Sequence, residues 1–166
     1  MPLIILMRHA HAEMPSPGMR DFDRPLSSAG KKDATVTAKQ LAATRVKIST
    51  AFCSPARRTI ETLACVQDTL QINENTVVYS SELYSGDVAA YHHLLSQLGE
   101  NEVCMIIGHN PMVENFAFDM AQTGDEVGLA KIKLGYPTAA IGVIGLADNF
   151  NPANAHGSLL HFFSPD

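Results

Sequence analysis

Arg8 and His9 follow directly on the apolar run Leu3-Ile4-Ile5-Leu6-Met7, and a second imidazole, His109, closes another such run, Val103 to Ile107. Between them lies Ser54-Pro55-Ala56-Arg57-Arg58, and Glu82 and Asp87 come soon after a third, shorter run. Guanidinium groups bind phosphate oxygens bidentately and helix N-termini offer unpaired N–H groups. Two arginines, two imidazoles and two helix starts, brought together, would therefore form an anion site, best suited to a phosphoryl group. Such a set could neutralise the equatorial oxygens of a loose transition state, the part Mg²⁺ plays elsewhere. A neutral imidazole could attack phosphorus if its other nitrogen donated to an acceptor that fixed its tautomer and angle.

These groups need elements to position them. Ile4 to Met7 is a continuous apolar run without helical period, which reads as a strand buried on both faces, as in a parallel sheet. Residues 14–27, rich in Pro and charge, read as a long surface loop of the kind that often carries function. Ala34, Ala38, Leu41 and Ala42 give the apolar stripe of a helix over 28–44. Residues 48–53 form a second strand, after which Ser54 reads as an N-cap with Pro55 at the first helical position and Ile60, Leu63, Ala64 and Leu70 inward. Residues 76–79 make a third strand, 87–98 a third helix and 103–107 a fourth strand. Asn110-Pro111 repeats the cap-and-proline device, before Val113, Phe116, Ala117 and Met120 at helical spacing. Residues 138–146 and 157–163 read as late strands.

This alternation predicts the α/β class: one three-layer domain spanning residues 1–166, with a mainly parallel central sheet flanked by helices. In such sheets ligands bind beyond the carboxyl ends of the strands, where all the polar groups above fall.

Composition narrows the partners. The 166 residues are 46% hydrophobic with a formal net charge of -5, and no cluster of Lys and Arg marks a nucleic-acid or membrane surface. Three cysteines without a CxxC pair suggest neither a disulfide framework nor a thiolate zinc site. No stretch reads as a signal peptide or membrane span, so a cytoplasmic, soluble protein is expected. Walker, dinucleotide-loop and HExxH motifs are missing, and no cofactor or metal is expected. His11, His92, His93, His156 and His161 read as ordinary surface residues, and the cysteines as inert core.

In order along the chain, Arg8-His9, Ser54-Pro55-x-x-Arg58, Glu82 and Gly108-His109 resemble the histidine phosphatase superfamily, the phosphoglycerate mutase-like proteins. The short length without a large cap insertion, with Arg24-Pro25-Leu26-Ser27-Ser28-Ala29-Gly30 and Glu82-Leu83-Tyr84-Ser85-Gly86-Asp87, resembles the SixA-type phosphohistidine phosphatases in particular. The resemblance implies a metal-independent phosphatase in which His9 accepts the phosphoryl group and Arg8, Arg58 and His109 hold its oxygens. Glu82 matches the acid position of the mutase-like branch, and Arg20, Arg24 and Asn110 are placed to reach substrate. The implied partner is a phosphohistidine-bearing protein such as a phosphotransfer domain. A small phosphoester substrate, or a module that binds phosphoryl groups without turnover, are the alternatives. The family's Arg-His-Gly reads Arg-His-Ala here, so Ala10 is expected at an ordinary negative φ.

Overall fold

Successive side chains of a strand point to opposite faces, and a strand apolar at every position must be covered on both. In the first strand, β1 (Leu3–Arg8), Ile4 and Leu6 face one apolar cluster and Ile5 and Met7 the other, all fully buried. The computed structural model describes residues 1–166 and builds a three-layer α/β domain around this strand. Helices α1 (Ser28–Ala42) and α2 (Arg57–Val66) cover the Ile5/Met7 face through Ala34, Ala38, Leu41, Leu63 and Val66. The short helices α3 (Glu82–Ser85) and α4 (Val88–His93), with α5 (Met112–Met120) and α6 (Glu126–Leu134), cover the other through Leu83, Tyr91, Phe116 and Ile132.

The sheet has seven strands, completed by β2 (Thr50–Cys53), β3 (Val77–Tyr79), β4 (Val103–Gly108), β5 (Ala121–Gly124), β6 (Ile141–Leu146) and β7 (Gly157–Phe163). Its order is β3-β2-β4-β1-β6-β7-β5. The pairs β2·β3, β2·β4, β1·β4 and β5·β7 are parallel, whereas β6 runs antiparallel to β1 and β7. Register decides where polar groups can meet. Arg8 pairs with Gly108 and Cys53 with Ile107, so the residues that leave β1, β2 and β4 emerge together at one edge.

Several expectations need correction. Pro55 is not the first helical residue. The second helix starts at Arg57 with Ala56 at the N-cap, whose methyl side chain can make no capping bond, while the Ser54 hydroxyl accepts the Ala56 N–H and lies against His109. Its inward stripe is Arg58, Thr59, Thr62, Leu63 and Val66, while Ile60 is exposed, so its face toward the sheet edge is polar. Asn110 does not cap α5 either: Pro111 stands at the N-cap, and the Asn110 amide bonds Tyr136 and Glu114 instead. The third helix expected over 87–98 is divided into α4 and a 3₁₀ turn over Leu94–Gln97, and the short helix α3 precedes it. Strand β5 and helix α6 were not expected. Gln122 and Thr123 give β5 no apolar alternation, and α6 leaves Val127 and Leu134 exposed while burying Gly128 and Ile132.

Candidate active site

Where β1 ends, the His9 N–H bonds the Gly108 carbonyl of the neighbouring strand (3.0 Å), which fixes the backbone on leaving the sheet. The ring turns inward and is 8% exposed. Its Nδ1 lies 2.7 Å from the Ala10 carbonyl oxygen, which can only accept. Nδ1 therefore carries the proton and Nε2 the free lone pair. Ala10 is wholly buried, keeps a negative φ as expected, and donates its N–H to Thr62 Oγ1 (3.0 Å). Thr62 in turn donates to the Arg58 carbonyl (2.7 Å), tying the loop after β1 to the helix that bears Arg58.

Arg58 is 6% exposed and held by two bonds to one residue of the long loop, Nη1 to the Asp21 carbonyl (2.8 Å) and Nη2 to the Asp21 carboxylate (3.0 Å). Arg8 sends Nη1 to the Tyr136 carbonyl (3.0 Å), which also accepts from Asn110 Nδ2 (3.1 Å). His109 follows β4 with its N–H on the Tyr91 hydroxyl (3.0 Å) and its Nε2 against Ser54 Oγ (2.7 Å). A Cβ at position 108 would overlap the Tyr91 hydroxyl, so only glycine lets that tyrosine reach the strand end. The His9 and His109 rings lie 5.2 Å apart, and Tyr84 packs edge-on to His109 at 5.5 Å.

Buried polar atoms are ordinarily satisfied, so the exceptions are informative. Four buried side-chain atoms have no partner: Arg8 Nε, Arg58 Nε, His109 Nδ1 and Asn110 Oδ1. Both arginine Nε atoms are donors, so the unmet demand at this corner favours an anion. Electrostatics agree. Burial, then the charges of Arg58, Arg8 and Arg24, lower His9 to about 4 against the opposing pull of the Ala10 carbonyl. Burial, followed by His9 and Arg58, lowers His109 to about 3. Both imidazoles are neutral near pH 7, so His9 can present a lone pair to an electrophilic phosphorus beside two guanidinium groups.

The structure thus brings Arg8, His9, Arg58 and His109 together, with Asn110 sharing an acceptor with Arg8. Arg24 joins indirectly, its Nε on the Asp21 carboxylate (3.0 Å) and its Nη1 on the Glu13 carbonyl (3.2 Å). Arg20 does not converge: it is 74% exposed, pairs with Asp23 and lies over the Phe22 ring. Glu82 opens α3 as an exposed residue without a hydrogen bond to the site, and lines a separate surface cavity of about 450 Å³ with Gly86, Asp87 and His93. His11 bonds the hydroxyl of Ser27, the N-cap of α1 (2.8 Å).

Sequence reasoning missed Asp21, Thr62, Tyr84, Tyr136 and Glu114. Asp21 accepts from Arg58, Arg24 and the Tyr84 hydroxyl. Burial would raise its carboxyl, but hydrogen bonds from Tyr84, Arg58 and Arg24 and the Arg58 charge hold it below its ordinary value. Glu114 takes an Asn110 N–H at 3.3 Å and sits near enough to stabilise the Arg8 charge. Thr62 alone had a readable signal, since i, i+4 spacing puts it on the helix face of Arg58.

The model of the histidine phosphatase superfamily (branch 1) matches residues 4–94, more than half of the chain. An uncharacterized Mycobacterium tuberculosis protein is 27% identical over 147 residues, which span 87% of this chain and 89% of that one. A chloroplastic Arabidopsis thaliana protein, also uncharacterized, is 32% identical over 116 residues, 64% of this chain and 53% of its own length. Among solved structures, one assigned to phosphohistidine phosphatase SixA from Agrobacterium tumefaciens superposes with a TM-score of 0.78 at 28% identity, covering 98% of both chains. A protein histidine phosphatase SixA complexed with tungstate gives 0.75 at 22% identity, covering 98% of this chain and 97% of its own. A phosphoglycerate mutase from Plasmodium falciparum shares the fold at a TM-score of 0.62 and 17% identity, covering 97% of this chain and 89% of its own.

Proposed function

The chain belongs to the histidine phosphatase superfamily, and on that premise we propose that it is a metal-independent phosphatase that dephosphorylates phosphohistidine in a partner protein through a phospho-His9 intermediate. The observation that carries this reading is the pairing of a pinned Nδ1–H on His9 with unpartnered buried donors on Arg8 and Arg58. In the first step the Nε2 lone pair of His9 attacks phosphorus, and the P–N bond of the substrate breaks as its imidazole departs. In the second, water attacks phospho-His9 in line, phosphate leaves, and His9 regains its lone pair. The same guanidinium groups stabilise both transition states.

Substrate chemistry enters through the leaving group. The carboxylate that touches Arg58, that of Asp21, is held below its ordinary value and is a poor proton donor near pH 7. An imidazole, with a reference pKa of ~6.5, leaves in protonated form without a strong acid from the enzyme. An alkoxide leaving group would need one. This favours phosphohistidine over a small phosphoester.

The test is phosphate release from a phosphorylated histidine phosphotransfer domain in the presence of EDTA, alongside a panel of phosphorylated metabolites. Release should persist in EDTA, exceed the panel in kcat/KM, and disappear in His9→Ala. Equal release by His9→Ala would overturn the assignment. Tight binding of the phosphorylated domain without turnover would instead identify a binding module.

A further inference from the structure

Ser54 looks at first like a helix cap, but its hydroxyl has a more specific position. It is fully buried, accepts the Ala56 N–H (3.3 Å), and lies 2.7 Å from Nε2 of His109. With one lone pair on Ala56, the hydroxyl proton still needs an acceptor, and the imidazole nitrogen is the only one it reaches. The opposite arrangement, a proton on Nε2 donated to Ser54, would leave the hydroxyl hydrogen without an acceptor and the Nδ1 lone pair unmet. Two buried groups would then be unsatisfied, where the first arrangement leaves one, the Nδ1–H.

We propose that Ser54 is a positioning residue that sets the tautomer of His109: its hydroxyl donates to Nε2, so the ring proton resides on Nδ1, where no protein atom accepts it, as a neutral donor for a phosphoryl oxygen. The role toward the phosphoryl group rests on the function proposed above; the tautomer itself does not.

Geometry supports this on every side of the ring. The His109 backbone is clamped by Tyr91, whose hydroxyl takes the His109 N–H and donates to the Leu83 carbonyl (3.3 Å). Ser54 is clamped by its own N–H on the Ile107 carbonyl (3.1 Å) and by Thr59, which donates to its carbonyl (2.7 Å). The main chain of both partners is thus fixed, which sets the distance between the two side chains. The ring faces His9 and lies near the charges of Arg58 and Arg8, with Asp21 the opposing charge, a setting that disfavours a second ring proton. Tautomer control by a neighbour is decisive where a ring must act from one nitrogen. The two imidazoles would then share one tautomer by different means. On His9 a carbonyl holds the Nδ1–H and frees the Nε2 lone pair for attack. On His109 a hydroxyl caps the Nε2 lone pair and frees the Nδ1–H for donation.

The experiment is long-range ¹⁵N–¹H correlation on histidine-labelled protein, with His109 signals assigned by their loss in His109→Gln. In the resting wild type, Nε2 of His109 should be pyridine-like and Nδ1 pyrrole-like. Tungstate should shift the Nδ1–H resonance without moving the proton to Nε2. Ser54→Ala should mix or reverse the tautomers and lower kcat/KM about 10- to 100-fold, less than deleting a donor outright. Ser54→Thr, which keeps the hydroxyl, should restore the wild-type ring signature. A proton on Nε2 in the wild type, or an unchanged ring in Ser54→Ala, overturns the proposal; the wild-type spectrum decides it even if both variants misfold. Loss of the phosphatase reading would show separately, as turnover that survives His9→Ala.

Discussion

The site has a floor and a wall, and they are built on different principles. The floor consists of His9, Arg58 and His109, all under a tenth exposed and fixed largely by main-chain groups and buried hydroxyls. The wall, from the long loop and α3, is made of Asp21, Arg24, Phe22 and Tyr84, joined by ion pairs and ring contacts around a carboxylate that is 53% exposed. Exposed ion pairs are worth little and are screened by salt, whereas buried bonds to main chain persist. The contrast is between a floor held by buried bonds and a wall held by partly exposed, screened ones.

Damage to the floor should therefore cost most. Arg58→Ala removes a buried guanidinium whose Nε is unpartnered, and kcat/KM should fall on the order of 10²- to 10³-fold. Arg58→Lys should recover little, because an ammonium cannot offer two parallel donors or hold both Asp21 oxygens. Steady-state kinetics on the phosphorylated partner checks this. A loss under tenfold for Arg58→Ala would mean that the floor is not where the oxygens are held.

Acid should find the floor next. His9 and His109 titrate at about 4 and about 3 in the folded state, below the ~6.5 of an unfolded histidine. Between those values the unfolded chain binds more protons, so the stability these neutral rings permit is complete above about pH 6.5 and is lost as pH falls toward 4. The combined effect is on the order of a few kcal/mol. Chemical denaturation from pH 7 to 4.5 should show this, with a slope shallower by about one proton in His109→Gln. The wall carries no such dependence in this range, since Asp21 is held ionised.

The same division explains what the sequence made readable. Floor residues stand at or after the ends of apolar runs, and parallel register then brings Arg8, Gly108 and Cys53 to one edge, so reading the strands was enough to bring these side chains together. The wall depends on contacts between residues 37 and 63 positions apart, Asp21 with Arg58 and with Tyr84, which no local period encodes. Ser54 and Asn110 were misread for a related reason. Local propensity makes both into caps, but the N-cap positions fall to Ala56 and Pro111, and the two side chains reach tertiary partners, His109 for one and Tyr136 for the other. Beyond the site, α6 and β5 were hidden by weak patterning, with Leu134 almost fully exposed on a helix that has only a narrow apolar side.

A smaller effect, of opposite sign, should come from the wall. The Asp21 carboxylate occupies Arg58 Nη2, a position a phosphoryl oxygen could otherwise use. Asp21→Asn removes the competing charge while its main-chain carbonyl still holds Nη1. Affinity for tungstate or phosphate should rise roughly three- to tenfold, within the range of a partly exposed charge pair. Calorimetric titration measures it, and weaker binding would show that Asp21 orients Arg58 more than it competes for it.

The smallest effect should fall on Glu82, and it separates family pattern from local geometry. The resemblance that pointed to Glu82 rests on relatives in which this position serves as an acid. Here the residue begins a four-residue helix, is exposed, and has no hydrogen bond to Arg8, His9, Arg58 or His109. A proton donor must come within hydrogen-bond reach of the departing atom, directly or through one water. If the leaving group is an imidazole, no donor is needed at that place, and Glu82→Gln should change kcat/KM on the phosphorylated partner by less than about twofold. A small phosphoester offers the discriminating comparison, because its alkoxide would need a proton. If Glu82→Gln slows phosphoester hydrolysis tenfold or more while sparing phosphohistidine, the wall closes over small substrates and brings Glu82 into the site. If it slows both equally, the leaving group is protonated by the enzyme in every case, and the reading of an acid-independent floor fails.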